Sequence, residues 1–440
     1  MSYTAAIEFI EFSHAFGTRL NLHTMKTILQ QLGSPHDRLN VIHVAGTNGK
    51  GSTSSHLASM LIAQGYRTGL FTSPHMHCYT ERIRVNGVNI SEEEFVSIFQ
   101  QVKDLVMPLV ETGQCPYPAM FDWMTLIGFV HFDRMLLDVV VLEVGLGGLE
   151  DATNVIDHPL AAVITPIDID HVDVLGAELS GIAAHKAGII KEGHPVIFHH
   201  QLPDADTVIR QRAAALNAPA YCLDQNHIQE VRADLKEQVF HFCHPLYPME
   251  EISIRMMGVH QMSNASLALL TLLVLRYKGI LDISDEALRS GLQQSFWAGR
   301  LEVVSQMPMI IIDGAHNLQG ADILYQFLLE NFADKKINFV MGMLNNKDID
   351  GVLTKLTPLG NKLYFTRAHN PKAVNPVVMA EKINLLGKEV HAIEDMTEAV
   401  QLAVAETTLD EVLVITGSLY LVGDAKAILL KAMDEQKEAS

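Results

Sequence analysis

Residues 41–53, VIHVAGTNGKGST, constrain the fold more than any other part of the chain. An apolar run (Val41, Ile42, Val44) leads into a glycine-rich turn that carries Lys50. Hydroxyls follow at Ser52 and Thr53, and then a helical pattern of Leu57, Met60 and Leu61. The order is strand, phosphate loop, helix. Glycine lets backbone N–H groups approach a phosphate, the helix N-terminus adds partial positive charge, and Lys50 adds a full one. Hydroxyls just past the lysine suit a magnesium ion held between phosphate and protein. Gly51 follows the lysine, so the usual G-x-x-x-x-G-K-[ST] spacing is not met. The alternative is a tight turn with a surface lysine.

The rest of the chain bounds what such a loop serves. At 440 residues, two or three domains are expected. Apolar residues make up 48% of the sequence, enough for a large core. A formal charge of −19 argues against a nucleic-acid surface, so an anionic substrate must be held by local cations. Cys78, Cys115, Cys222 and Cys243 form no C-x-x-C pair and read as free thiols of a reducing compartment. The first residues, MSYTAAIEFIEF, lack a signal-peptide pattern, and the longest apolar runs are too short to span a bilayer. A cytoplasmic protein with no membrane or nucleic-acid partner is expected, with a monomer as the default.

Taken in order, residues 1–40 show two helical stripes around a loop at 14–23. Residues 67–71 read as a strand running into Thr72-Ser73-Pro74-His75, and Asn86-Gly87 as a hairpin turn. Ser91 and Glu94 form a capping box at the start of a helix. Helix is also expected over 120–136 and 180–190. Residues 138–144 (DVVVLEV) form a β-branched run expected of a parallel strand buried on both faces. Glu143 sits at its C-terminal end, where ligands of such sheets collect, and reads as a metal ligand or else as half of a structural ion pair. Asp170 and His171 follow the strand at 161–165, and His171 reads as a further ligand or as a hydrogen-bonded structural group. Alternating strands and helices are expected to continue to about residue 293. His260, Gln261 and Asn264 open an apolar helix there, and spacing alone makes them capping residues. A boundary near 296–299 precedes a second alternation, with strands at 309–312, 337–341, 362–365 and 412–415. The expected class is α/β: a P-loop-type N-terminal domain (1–295) with a central, mostly parallel sheet, and a smaller, Rossmann-like C-terminal α/β domain (296–440).

The ordered stretches GTNGKGS, TSPH with ERI, VLEVGLGG, DATN, KAGIIK, HQ-x-x-NA, GRLE, DGAHN, GMLNNKD and GSLYLVG together resemble the folylpolyglutamate synthase and dihydrofolate synthase family, relatives of the Mur ligases. The resemblance runs from about residue 40 to residue 424 and implies an ATP-dependent amide ligase. Such an enzyme phosphorylates a carboxylate and lets the amine of L-glutamate displace the phosphate. The acceptor would be dihydropteroate or a reduced folate. It also implies Mg2+, two ions in the expected form, and the 1–295 and 296–440 regions as ATP-binding and glutamate-ligase domains.

Residue by residue, the resemblance places ATP on Asn48, Gly49, Lys50, Gly51 and Ser52, with Asn264, Arg300 and Asp313 as further nucleotide contacts. Ser73, Glu143 and His171 match the magnesium ligands. Lys186 matches a lysine carried as a carbamate, the alternative being a helix-surface lysine. Lys50, Lys186 and His316 are the implied catalytic residues, and ATP is expected between two domains that close on it. Phe121, Asp122, Asp151 and Ala152 match positions around the folate acceptor. Departures cluster on that acceptor side: Asn21-Leu22-His23-Thr24 replaces G-L-E-R, Asp122 replaces Glu, and Leu149-Glu150 replaces an Arg-Leu pair. His185 replaces Glu and Leu318 replaces Pro elsewhere. A Mur-type ligase with a different acceptor, or an NTP-binding switch without ligase activity, are the other readings.

Overall fold

The computed structural model describes residues 1–245, 247–383 and 388–439. The chain divides into two compact units: Met1–Pro74, Cys78–Arg255 and Val259–Phe296 form the first, and His75–His77, Met256–Gly258 and Trp297–Ser440 the second.

The first unit is built on β1 (Val41–Ala45), β2 (Thr68–Phe71), β3 (Ile83–Val85), β4 (Val88–Asn89), β5 (Val139–Glu143), β6 (Ala161–Ile164), β7 (Val196–His199) and β8 (Ala220–Leu223). These form one eight-stranded sheet in the order β4-β3-β2-β5-β1-β6-β7-β8. β2, β5, β1, β6, β7 and β8 run parallel. β3 and β4 are an antiparallel hairpin at one edge, turned by Asn86 and Gly87, both at positive φ as the two-residue turn requires. β1 and β5 are buried on both faces, which accounts for their unbroken apolar runs. One core joins Val41, Val140 and Leu142 to Ile10, Ile28, Phe95 and Trp123 from the helices Tyr3–Phe16, Leu22–Gln31, Glu92–Glu111 and Met120–Arg134. Helix Lys50–Gln64 packs against both Val259–Tyr277 and Asp285–Gln294 and lies on β5, and Val259–Tyr277 lies on β7.

Two expectations need correction. The alternation does not continue through 228–254. β9 (Ile228–Ala233), β10 (Gln238–Phe242) and β11 (Met249–Ile254) form a separate antiparallel three-stranded sheet. Short turns join them, leaving no room for helices. The loop at 14–23 is also shorter than expected, because helix persists to Phe16 and resumes at Leu22. Asn21 starts that second helix by accepting a hydrogen bond from the Thr24 N–H (2.8 Å).

The second unit carries β12 (Glu302–Gln306), β13 (Met309–Asp313), β14 (Lys336–Met341), β15 (Gly360–Phe365), β16 (Glu389–Ala392) and β17 (Glu411–Thr416), in the order β12-β13-β17-β14-β15-β16. All neighbours are parallel except β12, an antiparallel edge strand. Its core includes Ile312, Val340, Tyr364, Leu413 and Leu421.

Candidate active site

The glycine-rich loop leaves β1 at Ala45 and enters the helix Lys50–Gln64. Gly49 caps that helix at φ +84°, and a Cβ there would overlap Asn264 Oδ1. The first intrahelical bond back to the loop runs from Thr53 N to Gly49 O (2.8 Å). The N–H groups of Lys50, Gly51 and Ser52 precede it and have no carbonyl partner within the helix, which leaves them at its positive end. The loop is fixed from beside it: Thr47 N–H donates to Pro166 O (2.9 Å), and Thr47 Oγ1 donates to Asp168 O (2.9 Å).

Two lysines meet under this loop. Lys50 Nζ donates to the carbonyls of Gly46 and Thr47, each at 3.1 Å, and Lys186 Nζ donates to the same Gly46 oxygen at 2.8 Å. Lys186 is 4% exposed, so it is not a helix-surface lysine. Burial brings its ammonium down to about 7, Lys50 adds repulsion, and Asp170 works the other way. Lys186 is held there by the GLGG turn: Leu149 N–H donates to His185 O (2.7 Å), and Gly148, at φ +156°, passes so close that a Cβ would sit 2.6 Å from His185 O. Asn154 Nδ2 ties both sides, donating to Leu149 O (2.9 Å) and Gly188 O (3.2 Å).

Among the expected metal ligands, Ser73 and Glu143 come together. Ser73 N–H donates to Glu143 Oε2 (3.2 Å), and Glu143 is buried at the C-terminal end of β5. His171 lies in the loop after β6, left-handed at φ 55° and exposed, with Nε2 3.9 Å from Asp170 Oδ2. A hydroxyl and a carboxylate are hard oxygen donors, so Ser73 and Glu143 fit Mg2+; an imidazole is a less typical ligand for it.

Gln261 and Asn264 are more than capping residues. Gln261 Nε2 donates to Ser52 Oγ (3.2 Å), and Asn264 Nδ2 donates to Gln261 Oε1 (3.0 Å). Both are buried and reach the phosphate loop across more than 200 residues of sequence. Spacing missed them because the contact depends on how two distant helices pack. The motif HQ-x-x-NA was the only local signal.

The four acceptor-side residues have different surroundings. Phe121 lies across Gly145, with its ring 5.9 Å from that of Phe71. Asp122 is buried, and its Oδ2 accepts the N–H groups of Leu20 (3.0 Å) and Ala119 (2.9 Å). Burial pushes its carboxyl up to about 6, against the pull of those N–H groups and of Arg19, and Asp151 adds to the rise. Asp151 is buried, accepting from Leu146 N (2.9 Å), Thr153 N (3.0 Å) and Thr153 Oγ1 (2.6 Å). Ala152 is in the core. Asp151 and Ala152 therefore shape the turn after β5.

In the second unit, Arg300, Asp313 and His316 surround Gly314. Gly314 N–H donates to Gly299 O (2.8 Å), and Arg300 Nη1 would lie 3.1 Å from a Cβ on Gly314. Asp313 accepts N–H groups from Leu301 and Ala315, both at 2.9 Å, and burial raises its carboxyl despite Arg300. His316 Nδ1 is 2.7 Å from Gly314 O; a carbonyl only accepts, so Nδ1 carries the proton and Nε2 the lone pair of the neutral ring.

The Mur ligase middle domain matches residues 128–272, and the glutamate ligase domain of the Mur ligases matches residues 299–419. The dihydrofolate synthase/folylpolyglutamate synthase of Bacillus subtilis strain 168 is 37% identical over 97% of this chain and 98% of its own. The chain belongs to the folylpolyglutamate synthase/dihydrofolate synthase family. Solved structures agree. The Mycobacterium tuberculosis folylpolyglutamate synthase complexed with ADP superposes with a TM-score of 0.87 at 30% identity, covering 97% of this chain and 99% of that one. Escherichia coli FolC in complex with DHPP and ADP gives 0.86 at 28% identity, covering 99% of each. Among the described residues, no helix is long and apolar enough to cross a membrane.

Proposed function

We propose that this chain is an ATP-dependent ligase that joins L-glutamate to the carboxyl group of a folate-type acid, dihydropteroate or a reduced folate. Family membership supports the reaction class. The single structural observation that carries it is the convergence of Lys50 and Lys186 on the Gly46 carbonyl, at the start of the helix Lys50–Gln64.

The chemistry follows from charge. A carboxylate is a poor electrophile, and it approaches a γ-phosphate that is itself anionic. The Lys50, Gly51 and Ser52 N–H groups and the Lys50 ammonium hold the phosphates in place. When triphosphate enters, Lys50 exchanges its two loop carbonyls for phosphate oxygens. An oxygen of the acceptor carboxylate attacks the γ-phosphorus, the bond to the β–γ bridging oxygen breaks, and ADP leaves. The glutamate amine then adds to the acyl phosphate carbon, gives up a proton, and expels inorganic phosphate to leave an amide. His316, Arg300 and Asp313 of the second unit keep the catalytic and nucleotide roles implied by the family. Ser73, Glu143 and His171 would hold Mg2+, which when bound supplies charge neutralisation between the phosphates and the acceptor.

Lys186 is assigned a carbamate. A buried lysine brought down to about 7 offers the neutral amine that adds to CO2, and the product is an anion suited to a cation-rich site. A carbon-13 carbamate resonance that appears with labelled bicarbonate, and is missing from Lys186→Ala, supports this; a wild type without the resonance removes it. Phe121 and Asp122, with the turn held by Asp151 and Ala152, form the acceptor side. Phosphate release from ATP, dependent on glutamate and on either dihydropteroate or tetrahydrofolate, is the expected result. No release above background with either acid would defeat the folate assignment.

A further inference from the structure

Outside the phosphate loop, three side chains of different chemistry meet at the free edge of the large sheet. His200 follows β7, Asp206 lies in the first turn of the helix Pro203–Ala215, and Cys222 is on the edge strand β8. One ligand atom from each lies within 4.8 Å of the others. His200 Nδ1 is 3.5 Å from Asp206 Oδ1, a spacing that suits two ligands of one ion. Asp206 Oδ1 is buried and accepts no hydrogen bond, although its other oxygen is bonded by Arg210 Nε at 2.5 Å. Arg210 also lies over the Phe198 ring, 5.1 Å from its centroid.

We infer that His200, Asp206 and Cys222 form a binding site for a zinc-class divalent cation, separate from the nucleotide site. Nitrogen, oxygen and sulfur donors select Zn2+ over Mg2+, which takes oxygen ligands. Three protein ligands leave a fourth position for water. The ion displaces the thiol proton to solvent, so Cys222 binds as thiolate. Thiolate and carboxylate then balance the dication, and Arg210 orients the carboxylate from its outer oxygen. The ion would staple the turn after β7 and the following helix to the edge strand. The next residue, Gln201, accepts from Ile167 N (2.9 Å) and donates to Thr165 O (3.3 Å), so the staple adjoins the loop that steadies Thr47.

The test uses the full-length, metal-stripped protein and added Co2+, which reports thiolate ligation by a near-ultraviolet charge-transfer band and tetrahedral geometry by its visible bands. Wild type should show both, and Zn2+ should bleach them. Cys222→Ser should lose the charge-transfer band while Cys78→Ser keeps it. His200→Ala, at an exposed ring that does not threaten folding, should weaken Zn2+ binding about tenfold or more in competition with a chromophoric chelator. Absence of the band in wild type, its persistence in Cys222→Ser, or unchanged affinity in His200→Ala would overturn the site.

Discussion

His43 on β1 and His56 on the phosphate-loop helix are fully buried, and each is forced into one tautomer. Thr153 Oγ1 spends its proton on Asp151 Oδ1, so His43 Nε2 (2.9 Å away) must donate to it. Ser295 Oγ spends its proton on Leu292 O, so His56 Nδ1 (2.7 Å away) must donate there. The remaining nitrogens, His43 Nδ1 and His56 Nε2, are buried with no hydrogen-bond partner. Protonation would place an unsatisfied N–H and a charge in the core. Burial brings both rings down to about 3, with Lys191 adding to the effect on His43. Between that value and the ordinary 6.5, the unfolded chain binds protons that the folded one refuses. Stability from these groups is therefore whole above about pH 6.5 and is lost as pH falls toward 3. At ~1.4 kcal/mol per pH unit of unmatched protonation, each ring removes about 2 kcal/mol at pH 5 and about 3 at pH 4. Urea unfolding from pH 7 to pH 4.5, followed by Trp123 fluorescence in a Trp297→Phe background, measures this in the first unit. His43→Gln and His56→Asn keep the donating nitrogen and cannot titrate. Each should flatten the loss between pH 7 and pH 5 by about 2 kcal/mol, whatever its effect on absolute stability. Variants with the wild-type slope would refute the tautomer assignment and the burial reasoning together.

Other outcomes follow from the same geometry. Lys50→Ala should lower turnover by about 100-fold or more with an unchanged unfolding curve, because it removes a loop cation and no core contact; steady-state phosphate release reads it. Lys186→Ala should lose activity that added small carboxylates partly restore, measured in the same assay. Gly148→Ala should destabilise by about 1–3 kcal/mol and depress turnover, since its Cβ would press on the backbone that seats Lys186; thermal unfolding and kinetics both report it. Asp122 behaves oppositely to the histidines. Its folded carboxyl, at about 6, lies above the ordinary 3.8, so its stabilising protonation is lost as pH rises from about 4 to 6. Asp122→Asn should therefore gain on wild type by on the order of 2–3 kcal/mol between pH 4 and pH 7 in the same urea experiment.

Much of the fold was legible because its determinants are local. The run Val139–Glu143 announces a strand buried on both faces, and Gly49 with Lys50 announces the loop before its helix. The sheet at 228–254 was not, because β9 is polar and largely exposed, so no apolar alternation marks it. β12, with no fully buried residue, and the short β16 escaped for similar reasons. The place of Glu143 at the C-terminal end of its strand was readable from the sequence. Gln261 became visible only when its helix was packed on the phosphate loop. Asp122 illustrates the same limit: its partner Leu20 is 102 residues away.

The acyl phosphate route assigns a fate to each atom of the acceptor carboxyl group. Dihydropteroate labelled with oxygen-18 in both carboxyl oxygens, incubated with ATP, L-glutamate and the full-length protein, tests that route directly by mass spectrometry of the inorganic phosphate. Transfer of one label to each phosphate released is predicted, because the attacking carboxylate oxygen departs with phosphorus. Amide product accompanied by unlabelled phosphate would contradict it.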